Sequence, residues 1–269
     1  MLSDNANISV FPLGDGRVIC LTETTKSSVL IDPETLDTIG KFPYADRLWC
    51  PLQSTHPVVT RNEFLTLLPD LFQRGHRIVR MAAGSNERKV IGRVHCRGGM
   101  APGWVHSFAV TNYIVVPEMP LRYSVTAVLK SELTPWYIFD WVPDTGSYMH
   151  VMCRLTGKTV SINLFSIQCN VHYIFISYNP DEHIFHPCSQ CYNFQVASVE
   201  VPPFMALHFI NAYEQRDDDG DRTGVVIADC CEYYADPSII KELALHRLRS
   251  PGINKDAFPD ARYTNVCSS

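Results

Sequence analysis

Asn7-Ile8-Ser9-Val10-Phe11-Pro12, Gly14-Asp15-Gly16, Val18-Ile19-Cys20-Leu21-Thr22 and Ser28-Val29-Leu30-Ile31 with Asp32-Pro33-Glu34 stand near the start of the chain. Short, mostly apolar segments alternate with turns, and Gly, Asp and Pro clusters mark those turns. The runs follow one another too closely to leave room for crossover helices, so the stretch reads as an antiparallel meander. The same pattern recurs at 63–68, at 78–81 with 90–94, and at 107–110 with 113–116. It returns at 136–142 and 149–155 around Pro143-Asp144-Thr145-Gly146. The fold class is therefore all-β. Short strands repeated in this way suit propeller blades and a sandwich alike, and the period does not choose between them. Residues 124–133 and 237–248 carry apolar positions at helical spacing and are expected to be short helices packed on the β framework.

The composition excludes several classes. A net charge of −5 and a pI near 6.0, with no basic run and no Gly-rich phosphate loop, argue against nucleotides and nucleic acids as partners. Ten cysteines without a preceding signal peptide read as reduced thiols rather than a disulfide framework. No stretch approaches the ~20 apolar residues of a membrane helix. The first residues lack the Arg- and Ser-rich character of a plastid transit peptide.

Three histidines carry the chemistry: His56 in Gln53-Ser54-Thr55-His56-Pro57, His106 in Gly103-Trp104-Val105-His106-Ser107-Phe108, and His208 in Ala206-Leu207-His208-Phe209-Ile210. Taken singly, each reads as an ordinary hydrogen-bonded core or turn residue. All three lie in apolar, strand-like surroundings, where an imidazole nitrogen needs a partner. They are candidates for one shared metal.

The wording around them resembles the carotenoid cleavage oxygenases. His-Ser-Phe-Ala-Val-Thr-Asn-Tyr-Ile-Val-Val-Pro-Glu from His106 and His-Phe-Ile-Asn-Ala-Tyr-Glu from His208 are similar to two iron-ligand segments of that family, and Ser-Thr-His-Pro to a third. Asp4-Asn5-Ala6-Asn7-Ile8-Ser9-Val10, Glu87-Arg88-Lys89-Val90-Ile91-Gly92-Arg93-Val94 and Ala257-Phe258-Pro259-Asp260-Ala261-Arg262 resemble its plant branch in strigolactone synthesis, carotenoid cleavage dioxygenase eight. The resemblance covers most of 1–159 and 196–262. It implies a seven-bladed β-propeller, present here in part, with ferrous iron on its axis. Of the family's four histidine ligands, three map to His56, His106 and His208. A carboxylate that accepts the far N–H of a ligand ring maps to Glu23. The implied reaction is cleavage of a carbon–carbon double bond of a carotenoid or apocarotenal by O2, in this branch leading to carlactone. Trp104, Phe108, Phe204 and Phe209 neighbour the ligands and are candidates for an apolar cavity wall. The resemblance also implies a plastid location, and it offers for 124–133, as the alternative to packing on the β framework, an entrance patch that touches a membrane peripherally.

The chain departs from the family in several places. The fourth histidine is expected downstream of His208 and has no counterpart; His246, in Ala244-Leu245-His246-Arg247, reads as a basic helix end. The chain is thus expected to be a truncated form, inactive as written, with 263–269 an unrelated tail. The family's Glu between Thr111 and Asn112 is missing, and its Gly-rich approach to the first ligand reads Leu48-Trp49-Cys50-Pro51. Residues 161–195 do not resemble the family and read as an insertion, the translation of an intron. They hold His183, His186, Cys188 and Cys191, ligands of the right chemistry for zinc, set too close together for a ββα finger. A non-catalytic zinc-binding or interaction module is the alternative reading.

Overall fold

The computed structural model of the chain describes residues 6, 8–23, 28–48, 50, 52–97, 101–123, 139–157, 164–168, 173–177, 197–220 and 222–234. The expected helices at 124–133 and 237–248, His246 and the cluster at 183–191 lie outside the described residues. Among the described residues the one helical element is a 3-10 turn, Pro143–Thr145, and no helix is long and apolar enough to cross a membrane.

Asp15 and Gly16 reverse the chain between β1 (Ser9–Pro12) and β2 (Val18–Leu21). Gly16 stands at φ 88°, a left-handed conformation that costs glycine little. The Leu13 N–H to Arg17 carbonyl bond (2.7 Å) closes the turn, and the strands pair from Ser9 opposite Leu21 to Pro12 opposite Val18. β3 (Val29–Ile31) and β4 (Thr38–Lys41) complete a four-stranded meander in chain order. The next sheet repeats that order with β5 (Val58–Val59), β6 (Glu63–Asp70), β7 (Gly75–Ala82) and β8 (Arg88–His95). Then come β9 (Ala109–Val110), β10 (Tyr113–Glu118), a ribbon of β11 (Leu121–Tyr123) and β12 (Phe139–Trp141), and β13 (Ser147–Cys153). With β16 (Ala197–Val201) these give a third sheet in the order β16-β13-β10-β9. The fourth joins β14 (Leu164–Gln168), β15 (Tyr173–Ser177), β17 (Phe204–Arg216) and β18 (Arg222–Tyr234) in the order β14-β15-β18-β17. Part of the stretch 161–195 is thus built into a sheet, β15 pairing with β18 from Tyr173 opposite Asp229 to Ser177 opposite Val225.

The sheets stack face to face in chain order. Ile19, Leu21 and Phe42 of the first region meet Phe64 and Met81 of the second. The other side chains of β6, Leu65 and Leu67, meet Ile114, Val116 and Met152 of the third. Tyr113 and Val115, on the opposite face of β10, meet Met205, Ala206, Val226 and Ala228 of the fourth. Period-2 alternation sends neighbours on β10 to two different cores, which is why all six of its residues are buried. Antiparallel four-stranded sheets packed one on the next are the architecture of propeller blades, and the fold is all-β, as the sequence indicates.

Candidate metal centre

Each of the four sheets delivers one residue to a common point. Glu23 follows β2, His56 stands two residues before β5, His106 lies in the connection from β8 to β9, and His208 is on β17. The ligand-capable atoms of the three histidines all lie within 4.8 Å of one another. Their ring centroids form a nearly equilateral triangle of 4.5, 4.7 and 4.9 Å, with rings edge to face.

His208 reaches this point because its strand is irregular. β17 pairs with β18 at Ala206 opposite Glu232 and next at Phe209 opposite Cys230, so β17 carries one residue more than its partner between these pairs. Such a bulge re-aims the side chain within it. His56 and His106 sit on buried connecting chain whose backbone groups need partners of their own. The Gln53 N–H donates to the Glu23 carbonyl at 2.8 Å, and Ser54 N–H to the Leu67 carbonyl at 2.9 Å. The Ser9 hydroxyl donates to the Thr55 carbonyl.

Glu23 and Trp104 orient His106. Glu23 Oε1 lies 3.0 Å from His106 Nδ1 and accepts from the Trp104 indole N–H at 3.1 Å. A carboxylate only accepts, so Nδ1 carries the ring proton and Nε2 keeps its lone pair. That lone pair faces His56 Nε2 at 2.9 Å. Two lone-pair nitrogens at this distance repel unless a proton or a cation lies between them. Burial first, then the neighbouring His106 and His208, push the His56 pKa down to about 4. Burial, then His106, lowers that of His208. Both effects favour neutral imidazole, the form that ligates a metal. Three neutral nitrogen donors converging, one fixed from behind by a carboxylate, fit a divalent transition metal.

All three sequence-derived ligands and Glu23 come together. Of the proposed wall residues, Trp104 packs against His106 at 5.1 Å between centroids. Phe204 belongs to the core between the third and fourth sheets, with Phe209 packed against it, while Phe108 lies in the core between the second and third. Sequence reasoning missed the Trp104 indole as a donor to Glu23, and it missed Phe139 and Tyr123. These continue the ring sequence from Trp104 at 5.2 and 5.1 Å. Gly-Trp before a histidine was a visible signal; Phe139 and Tyr123 gave none, since only the β11–β12 pairing of Tyr123 with Phe139 places them there.

The family model described as retinal pigment epithelial membrane protein matches residues 1–184. The chain is 59% identical over 262 residues to carotenoid cleavage dioxygenase 8 homolog A, chloroplastic, of Oryza sativa subsp. japonica, covering 97% of this chain and 40% of that protein. It is 50% identical over 264 residues to carotenoid cleavage dioxygenase 8, chloroplastic, of Arabidopsis thaliana, with 97% and 40% covered. Among solved structures, the lignostilbene dioxygenase of Pseudomonas brassicacearum aligns with a TM-score of 0.46 at 19% identity, covering 72% of this chain and 43% of that one. The chain spans about two fifths of the length of the curated relatives it matches.

Proposed function

The chain belongs to the retinal pigment epithelial membrane protein family, whose model matches residues 1–184, and from this premise we propose that it carries part of the active site of a plastid iron(II) dioxygenase that cleaves a double bond of a carotenoid-derived substrate. The observation that carries the reading is the convergence of His56, His106 and His208 on one point, with Glu23 behind His106. The relatives named carotenoid cleavage dioxygenase 8 support the substrate class, and their description as chloroplastic supports the location. An all-imidazole donor set suits ferrous iron, which when bound supplies the activation of dioxygen.

The chain's own residues do the rest. Glu23 holds the proton on His106 Nδ1 and keeps Nε2 directed at the shared point. Burial keeps His56 neutral, so it does not need to lose a proton before ligating. The rings of Trp104, Phe139 and Tyr123 run away from His106 as an apolar strip. Trp104 is buried, and the half-buried Phe139 and Tyr123 offer a polyene dispersion contacts while asking for few hydrogen bonds.

The test is ferrous-iron affinity of the purified chain beside His56→Ala, His106→Ala and His208→Ala, followed by turnover of an apocarotenal. Binding near one equivalent in the parent and its loss in each variant is the expected result. Variants that bind iron as the parent does would overturn the reading.

A further inference from the structure

Two buried serines connect the three histidines through their backbones. Ser107 Oγ donates to the Leu207 carbonyl at 2.7 Å and accepts from the Phe209 N–H at 2.8 Å. These are the two residues that flank His208, inside the bulge of β17. Ser54 Oγ donates to the His106 carbonyl at 2.6 Å and accepts from the His56 N–H at 3.4 Å. Ser54 is itself fixed to β6, its N–H on the Leu67 carbonyl and its carbonyl accepting from Thr66 Oγ1 at 3.2 Å. Both serines are buried, at 3% and 6% exposure, so water does not readily replace the lost partners. A hydroxyl has one proton to give and two lone pairs to receive, the minimum that lets a single atom clamp a carbonyl and an N–H.

Resting on the reading of the three histidines as a metal centre, we propose that Ser54 and Ser107 are positioning residues for it. Ser54 sets the spacing of His56 to His106, and Ser107 sets His208 against both. The sheets that carry these ligands pack through apolar side chains, which fix their separation loosely, whereas a metal centre tolerates displacements of only about half an ångström. The two hydroxyls supply directional bonds at the points where loose packing would matter most. Ser107 matters more of the two, because the His208 bulge has an extra residue out of register and its flanking groups depend on that hydroxyl.

The test is cobalt(II) affinity and the visible ligand-field spectrum of the full chain, measured on Ser107→Ala, Ser54→Ala, Ser107→Thr and Ser198→Ala, with thermal midpoints recorded alongside. Ser198 Oγ bonds His150 Nδ1 at 2.8 Å, neither residue belongs to the histidine cluster, and the variant controls for the loss of a hydroxyl in general. The expected result is a loss of about 10- to 100-fold in affinity for Ser107→Ala with an altered spectrum, recovery in Ser107→Thr, and parental affinity in Ser198→Ala. Parental affinity in Ser107→Ala, or an equal loss in Ser198→Ala, would overturn the proposal. Should Ser107→Ala fail to fold, Ser107→Cys, which keeps the volume and loses the strong bonds, is read by the same criteria. If His208→Ala binds cobalt(II) as the parent does, the metal-centre reading itself fails, a different outcome from serine variants that bind normally while histidine variants do not.

Discussion

Glu23 Oε1 receives two N–H groups at once, from Trp104 and from His106, and its consequences are read at single residues. Glu23→Gln keeps an oxygen that can accept but removes the charge that favours the Nδ1 proton, so metal affinity is expected to fall about 10- to 100-fold, as measured by titration with ferrous iron. Trp104→Phe keeps the ring against His106 and Phe139 and deletes only the N–H. The loss expected there is about fivefold, the equivalent of one net hydrogen bond. An equal loss in the two variants would mean that the indole N–H, which holds the carboxylate in place, matters as much to His106 as the carboxylate's charge. Sequence could name Glu23 only through a family likeness, because a strand-end glutamate reads the same whether it faces water or a histidine.

The connection into β9 is held at its start by Gly103. A Cβ built there would meet the Met119 carbonyl oxygen at 2.6 Å, well inside contact distance. Gly103 pairs with Arg122 as an isolated bridge, and the Trp104 N–H donates to the Leu121 carbonyl at 2.8 Å. Gly103→Ala is expected to displace Trp104 and His106 together, costing about 2 kcal/mol in denaturant unfolding and weakening metal binding; unchanged binding with lowered stability would separate the two. The strands themselves were readable wherever a short apolar run stood between turn residues, as in β2, β6 and β10. The hairpin of 13-residue strands β17 and β18 was not, because bulges break its alternation and the bulge is also what aims His208. β11 and β12 pair across a long connection that no local pattern announces.

Across the whole molecule, a buried charge cluster ties the second and third sheets to the β11–β12 ribbon. Glu118 on β10 accepts from Arg122 of β11 at 2.8 Å, from His150 of β13 at 2.8 Å and from the Arg97 N–H at 2.9 Å. His76 of β7 lies beside it, its Nε2 donating to the Gly103 carbonyl at 3.1 Å, and burial followed by the nearby Glu118 raises the Cys96 thiol to about 12. Burial acts to raise the Glu118 pKa, but bonds from His150, the Arg97 backbone and Arg122 outweigh it and lower the carboxyl to about 2. Its contribution is complete above the ordinary value of 4.5 and is lost as pH falls through 2. Burial, ahead of all else, lowers His76 to about 4, so its contribution is complete above 6.5 and is lost as pH falls through 4. Stability should therefore decline from pH 6.5 downward, each group contributing on the order of 3 kcal/mol at its limit. Denaturant midpoints measured from pH 8 to pH 4 check this, and a flat profile would show that His76 is not held neutral. Glu118→Gln should cost about 3–5 kcal/mol, since it leaves Arg122 buried without its counter-charge. Short apolar runs and the turn residues between them alone determined that the chain is all-β and built of short antiparallel meanders, because run length and backbone conformation are local properties. Likeness of wording singled out His56, His106, His208 and Glu23. Only the tertiary structure decided that these meet at one point, that Trp104 rather than Phe108 stands beside them, and that Ser54 and Ser107 brace them. Face-to-face stacking of sheets sets those distances between residues far apart in the chain, and no local pattern encodes it.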